Sequence, residues 1–141
     1  MTKYRILGAI FLVAVALQTL GCGSGSMSNS NRVLQSMTIS PASADAQNFA
    51  NGRVQFMATG TFNKAPSPQQ VTFQPPYAGG WSLMANGGAS LPATISPTGL
   101  AECVPGASGA VTVQALASAN AAMGTGATGV AVRSTATLTC P

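Results

Sequence analysis

Alternation of apolar and polar side chains is the feature that most limits how this chain can fold. A period of two is typical of a β-strand with one buried face. Glycine and proline interrupt the chain about every 8 to 15 residues, and no 3.6-residue apolar repeat occurs after residue 17. We therefore expect an all-β fold. The clearest apolar phase consists of Val54, Phe56, Ala58 and Gly60.

The same alternation predicts seven or eight short strands separated by turns. That number favours a two-layer sandwich over a barrel or a helical fold. The expected strands lie around Met37 and Ile39, over residues 54–61, around Val71 and Phe73, around Trp81 and Leu83, and over residues 93–95, 100–103, 111–115 and 132–140.

Several short motifs follow one another in a recognisable order. They are Met37-Thr38-Ile39-Ser40-Pro41, residues 54–62, Val71-Thr72, Trp81-Ser82, residues 93–100 and residues 135–139. In this order they resemble the bacterial immunoglobulin-like domains of group 2, which are modules of intimin- and invasin-like surface proteins. The resemblance covers about residues 34 to 140. It implies an immunoglobulin-like β-sandwich of about seven strands and a role in adhesion or protein interaction.

The first 22 residues predict export. Lys3 and Arg5 precede twelve apolar residues, 6–17, a run shorter than the about 20 residues that a membrane-spanning helix needs. This is the pattern of a bacterial secretory signal. The segment Thr19-Leu20-Gly21-Cys22 resembles a lipoprotein box, which implies lipid attachment at Cys22, although Thr19 stands where that box usually has leucine. Ordinary signal cleavage nearby, leaving Cys22 as a free thiol, is the alternative.

These features divide the chain into three parts. Residues 1–21 are expected to be the signal peptide, residues 22–33 a lipidated cysteine with a Gly/Ser/Asn tether, and residues 34–141 the sandwich domain. A random-coil tether of this length reaches roughly 15 to 20 Å. An aspartate after the lipidated cysteine favours inner-membrane retention in lipoproteins, and Gly23 stands there in this chain. This implies an anchor in the outer membrane, on either its periplasmic or its surface face. The membrane is thus an expected partner through the lipid.

Cysteine count supports an oxidising compartment. If Cys22 carries lipid, Cys103 and Cys140 remain as an even pair, and we expect them to form a disulfide. Closing a loop of roughly 38 residues would stabilise the fold by about 4 kcal/mol. No histidine is present and only two acidic residues occur, so neither a metal site nor another cofactor is expected.

The charge pattern argues against nucleic-acid binding and against catalysis. Four scattered basic residues in the mature chain form no cluster for phosphates. Without histidine there is no Ser-His or Cys-His arrangement. Asp45 is expected in the loop after the first strand and Glu102 lies next to Cys103, so a carboxylate pair is not expected. Residues 124–129 match GxGxxG, but a strand-like segment follows instead of the helix that this motif requires. We expect a protein that is not an enzyme.

Two aromatic residues are candidates for a binding surface. Tyr77 lies in a loop bounded by proline and glycine, where binding residues are common. Trp81 is the only tryptophan, and a core position is the simpler interpretation for it. The sequence therefore favours a non-catalytic envelope lipoprotein that acts by contact with an envelope or surface protein. The alternatives are glycan or peptidoglycan binding through Tyr77 and Trp81, and a structural spacer without a ligand.

Overall fold

The structure is a computed structural model that describes residues 32–85, 87, 90–120 and 130–141. The predicted signal, the lipid-attachment residue Cys22 and the GxGxxG segment at residues 124–129 lie outside the described residues. Among the described residues no helix is long and apolar enough to cross a membrane. Every residue of the described core lies between Leu34 and Cys140, so this part of the chain supplies the complete core that the structure shows.

Ten strands and two short 3₁₀ helices make up the described chain. The strands are β1 Leu34–Ser40, β2 Ser43–Asp45, β3 Arg53–Gln55, β4 Met57–Phe62, β5 Gln69–Gln70, β6 Gly79–Ala85, β7 Ala93–Ile95, β8 Leu100–Cys103, β9 Gly109–Ser118 and β10 Ala131–Cys140. The 3₁₀ helices are Ala46–Asn48 and Ala50–Gly52.

These strands form the two layers of a sandwich. One layer combines the orders β1-β4-β5 and β3-β8-β7, which are continuous because β3 and β4 belong to one segment interrupted only at Phe56. The second layer has the order β2-β10-β9-β6. Seven main strands remain when the short strands β2 and β5 are left out and β3 and β4 are counted as one. The first, second, fourth and fifth of these seven share a layer. This is the strand distribution of a constant-type immunoglobulin domain, so the predicted fold class is confirmed.

The core lies between the layers, where the predicted apolar phases meet. Val54, Phe56, Ala58 and Gly60 are buried, whereas Gln55 and Met57 between them are exposed and Thr59 is half-buried. The same phase holds in β9 and β10, whose buried residues point towards the opposite layer. The largest fully buried side chains are Phe56, Leu34, Leu138, Val54, Val111 and Val113.

The predicted disulfide is confirmed. Cys103 at the end of β8 is bonded to Cys140 at the end of β10, with 5.7 Å between their Cα atoms. Because β8 and β10 belong to different layers, the bond joins the two layers at one end of the sandwich.

The predicted third strand, around Val71 and Phe73, is wrong in position. The paired residues are Gln69 and Gln70, and Val71 makes the last ladder contact by donating its N–H to the carbonyl of Ala58 at 2.9 Å. Phe73 then adopts the left-handed region, with φ at 59°. This turn ends the strand and directs the Phe73 ring edge-on against Trp81, with ring centroids 5.4 Å apart.

Candidate binding cleft

A cleft opens where the β3–β4 segment changes its neighbour. The Phe56 N–H donates to the carbonyl of Gly99 at 2.9 Å, on the β8 side, whereas the Ala58 carbonyl accepts from Val71 at 2.9 Å, on the β5 side. Between these two contacts β8 and the segment after β5 separate. The resulting cleft has a volume of about 260 Å³.

The described residues that line this cleft all have uncharged side chains. Trp81 and Phe56 contribute apolar surface, and Gln70, Thr72 and Gln74 contribute amides and a hydroxyl on one side. The turn that connects β7 and β8 contributes Pro97 and Thr98 on the other side. An aromatic surface bordered by neutral hydrogen-bonding groups suits an uncharged polar ligand. A charged ligand would find no side chain of opposite charge among the described residues of this cleft.

The turn beside the cleft is held by side-chain hydrogen bonds. The Gln55 amide donates to the Phe56 carbonyl at 2.9 Å and to the Thr98 carbonyl at 2.8 Å. Gly99 adopts φ 84°, and an added Cβ would lie 2.6 Å from the Phe56 carbonyl oxygen and 2.8 Å from the Trp81 ring. Glycine is therefore required here both by the backbone and by the close approach of the indole.

Tyr77 lies in a second depression, which has a volume of about 210 Å³. Tyr77 is buried, and the centroid of its ring lies 5.0 Å from that of the Phe62 ring. Its hydroxyl donates to the Arg32 carbonyl at 3.2 Å. Trp81 lines the first cleft and Tyr77 the second, with residues 70–74 between them. The two predicted aromatic residues therefore face different depressions, and the Tyr77 hydroxyl has a role in holding the fold.

Arg32 is a buried cation that the sequence analysis did not single out. Arg32 is 6% exposed, and its guanidinium carbon lies 3.6 Å from the centroid of the Phe62 ring. Its nitrogens donate to the carbonyl of Lys64 at 3.2 Å, to the carbonyl of Pro66, and to Oε1 of Gln69 at 2.9 Å. Arg32 thus fixes the loop after β4 to the start of the domain. An arginine that follows a polar tract gives no sequence signal for this role.

The two acidic residues are engaged in local contacts. Glu102 forms an exposed ion pair with Arg53, with Nε 3.1 Å from Oε2. The Asp45 carboxylate accepts the N–H of Gln47 at 3.0 Å. Within residues 32–85, 87, 90–120 and 130–141, no group of three or more histidine, cysteine or acidic side chains is placed to hold a metal. The described site is therefore a cleft suited to recognition, without ionisable groups along it.

No family model matches the chain, and no curated protein matches it significantly.

Proposed function

We propose that this chain is a non-catalytic bacterial lipoprotein, exported to the cell envelope and anchored by lipid at Cys22, and that its sandwich acts by protein contact or adhesion. The leader supports export, because positive charges precede an apolar run and a cysteine. The immunoglobulin-like distribution of strands between the layers supports kinship with the immunoglobulin-like group 2 modules, although such a fold occurs in many unrelated proteins. Gly23 supports the outer membrane as the location of the anchor, because an aspartate after the cysteine would favour inner-membrane retention in lipoproteins.

The observation that carries the contact proposal is the edge strand β6. It is the terminal strand of its sheet in the described chain and runs for seven residues without charge or proline. Ser82 and Met84 are exposed along it. Natural proteins protect long edges with lysine, proline or bulges, because unpaired backbone groups recruit further strands. An unprotected edge is therefore suited to strand addition by an extended segment of a partner protein.

The other edges offer less. β5, β2 and β7 have only two or three residues each. β1 is longer, but it packs closely beside β10 of the opposite layer, which closes that side of the sandwich. β6 makes a looser contact with β7 across the layers, so it is the more open of the long edges among the described strands.

A photo-crosslinking amino acid at position 82, tested in envelope preparations, should give a recurring adduct with one protein. Adding Met84→Lys should reduce this adduct at least fivefold, because a charged edge opposes strand pairing. The matched control is Thr135→Lys, since Thr135 is also exposed but lies on the central strand β10. An adduct that survives Met84→Lys, or an equal loss with Thr135→Lys, would contradict the edge proposal.

Glycan binding is the second candidate, and the neutral cleft beside Trp81 favours it. A sugar could stack on the indole while Gln70, Gln74 and Thr98 exchange hydrogen bonds with hydroxyl groups. Titration with soluble peptidoglycan fragments should then change the emission of Trp81, the only tryptophan. Gln74→Ala should weaken that response severalfold. An unchanged Trp81 emission across a panel of neutral and amino sugars would exclude glycan binding. If neither a protein partner nor a glycan is found, the remaining interpretation is a structural spacer without a ligand.

A further inference from the structure

The basic residues of the sandwich are concentrated at one end. We call it the tether end, and it is formed by Arg32, Lys64 and the first residues of β10. The Arg32 Nε donates to the Lys64 carbonyl at 3.2 Å, and the Leu34 N–H donates to the Ala119 carbonyl at 2.6 Å. The Ala119 N–H in turn donates to the carbonyl of Val130 at 2.9 Å, and Val130 immediately precedes β10. Arg133 lies three residues further and is exposed, as is Lys64.

Both acidic residues of the chain lie at the opposite end. Glu102 pairs with Arg53 at the start of β3, and nine residues later Phe62 pairs with Leu34 at the tether end. Asp45 pairs with Thr139, near the end of β10. At about 3.3 Å per residue, these spacings place the acids about 25 to 30 Å from the tether end. The remaining cation, Arg53, is neutralised by Glu102.

We propose that the tether end docks on the anionic phospholipid headgroups of the membrane that holds the anchor. This inference rests on the lipid anchor of the proposed function. Nine residues separate Cys22 from Arg32. Even fully extended, the ten Cα–Cα steps from Cys22 to Arg32 span at most about 36 Å, so the tether end stays within that distance of the lipid anchor.

The chemistry of the tether end fits a phosphate surface. Lys64 and Arg133 are exposed and contact the headgroups, whereas the buried Arg32 adds a positive charge that its carbonyl and aromatic neighbours do not neutralise. Each basic residue near an anionic surface strengthens binding about fivefold. Anchoring raises the effective concentration of lipid at the domain, so two or three such contacts are sufficient for docking.

The test uses the chain from Cys22 to Pro141, which contains the whole described core. With Cys103 and Cys140 joined, the Cys22 thiol is free and is coupled to maleimide lipid in vesicles, which replaces the native lipid by chemistry. Rotation of the domain is followed by the time-resolved anisotropy of Trp81. On vesicles with 30% phosphatidylglycerol, we expect a rotational correlation time at least twice that on pure phosphatidylcholine. This difference should disappear in 0.5 M NaCl, because salt screens exposed charges.

Charge-reversal variants locate the docking surface. Lys64→Glu with Arg133→Glu should abolish the slowing on anionic vesicles. Arg53→Glu with Lys64 and Arg133 intact should keep it, because that change lies at the far end. Equal rotation on both kinds of vesicle, or equal loss with Arg53→Glu, would overturn the proposal. Because coupling replaces lipidation, the outcome is independent of whether Cys22 is lipidated in the cell, which intact mass tests separately.

Discussion

Replacing Phe56 with alanine should lower the free energy of unfolding by about 3 to 5 kcal/mol, the range for a fully buried aromatic residue. Phe56 is 1% exposed and is among the largest fully buried side chains. It also forms part of the cleft, and its N–H and carbonyl hold the β7–β8 turn through Gly99 and Gln55. Truncation therefore leaves a cavity beneath the candidate binding surface.

Urea unfolding followed by circular dichroism measures this loss. The control is Met57→Ala at the next position, because Met57 is 49% exposed and points away from the core. We expect the control to change the unfolding free energy by less than about 1 kcal/mol. Similar effects of the two substitutions would contradict the assignment of the buried phase in β3 and β4.

Removing the disulfide should cost about 4 kcal/mol. Cys103 and Cys140 are 37 residues apart in sequence, and their bond restricts the unfolded chain while joining β8 to β10. The variant Cys103→Ala with Cys140→Ala is compared with the parent chain in urea, with and without reductant. The parent should lose stability on reduction and approach the double variant, and the variant should be insensitive to reductant. A double variant as stable as the oxidised parent would show that this bond does not support the fold.

The strand phases could be predicted because each depends on local alternation. In β4, β9 and β10 the buried side chains are those of the predicted phases, since a two-layer fold buries one side of every strand. The disulfide could be predicted by counting cysteines. Neither inference required knowledge of distant contacts.

What could not be predicted depends on contacts between distant segments. The bend at Phe73 accompanies the packing of its ring against Trp81, and Tyr77 is buried against Phe62 and Arg32. The cleft exists because one strand segment changes partners at Phe56, a feature of pairing that alternation does not encode. The strand topology likewise places most of the basic residues and the two acidic residues at opposite ends of the sandwich.

We propose that this disulfide-bonded β-sandwich is held outside the cytoplasm by lipid at Cys22. Intact and peptide mass spectrometry of the protein from its native membranes, without reductant, tests it most directly. We predict an N-terminal peptide that begins at Cys22 with a diacyl or triacyl glyceryl modification, and a linked peptide pair that contains Cys103 and Cys140. A chain that retains Met1, with free thiols at positions 103 and 140, would contradict the account.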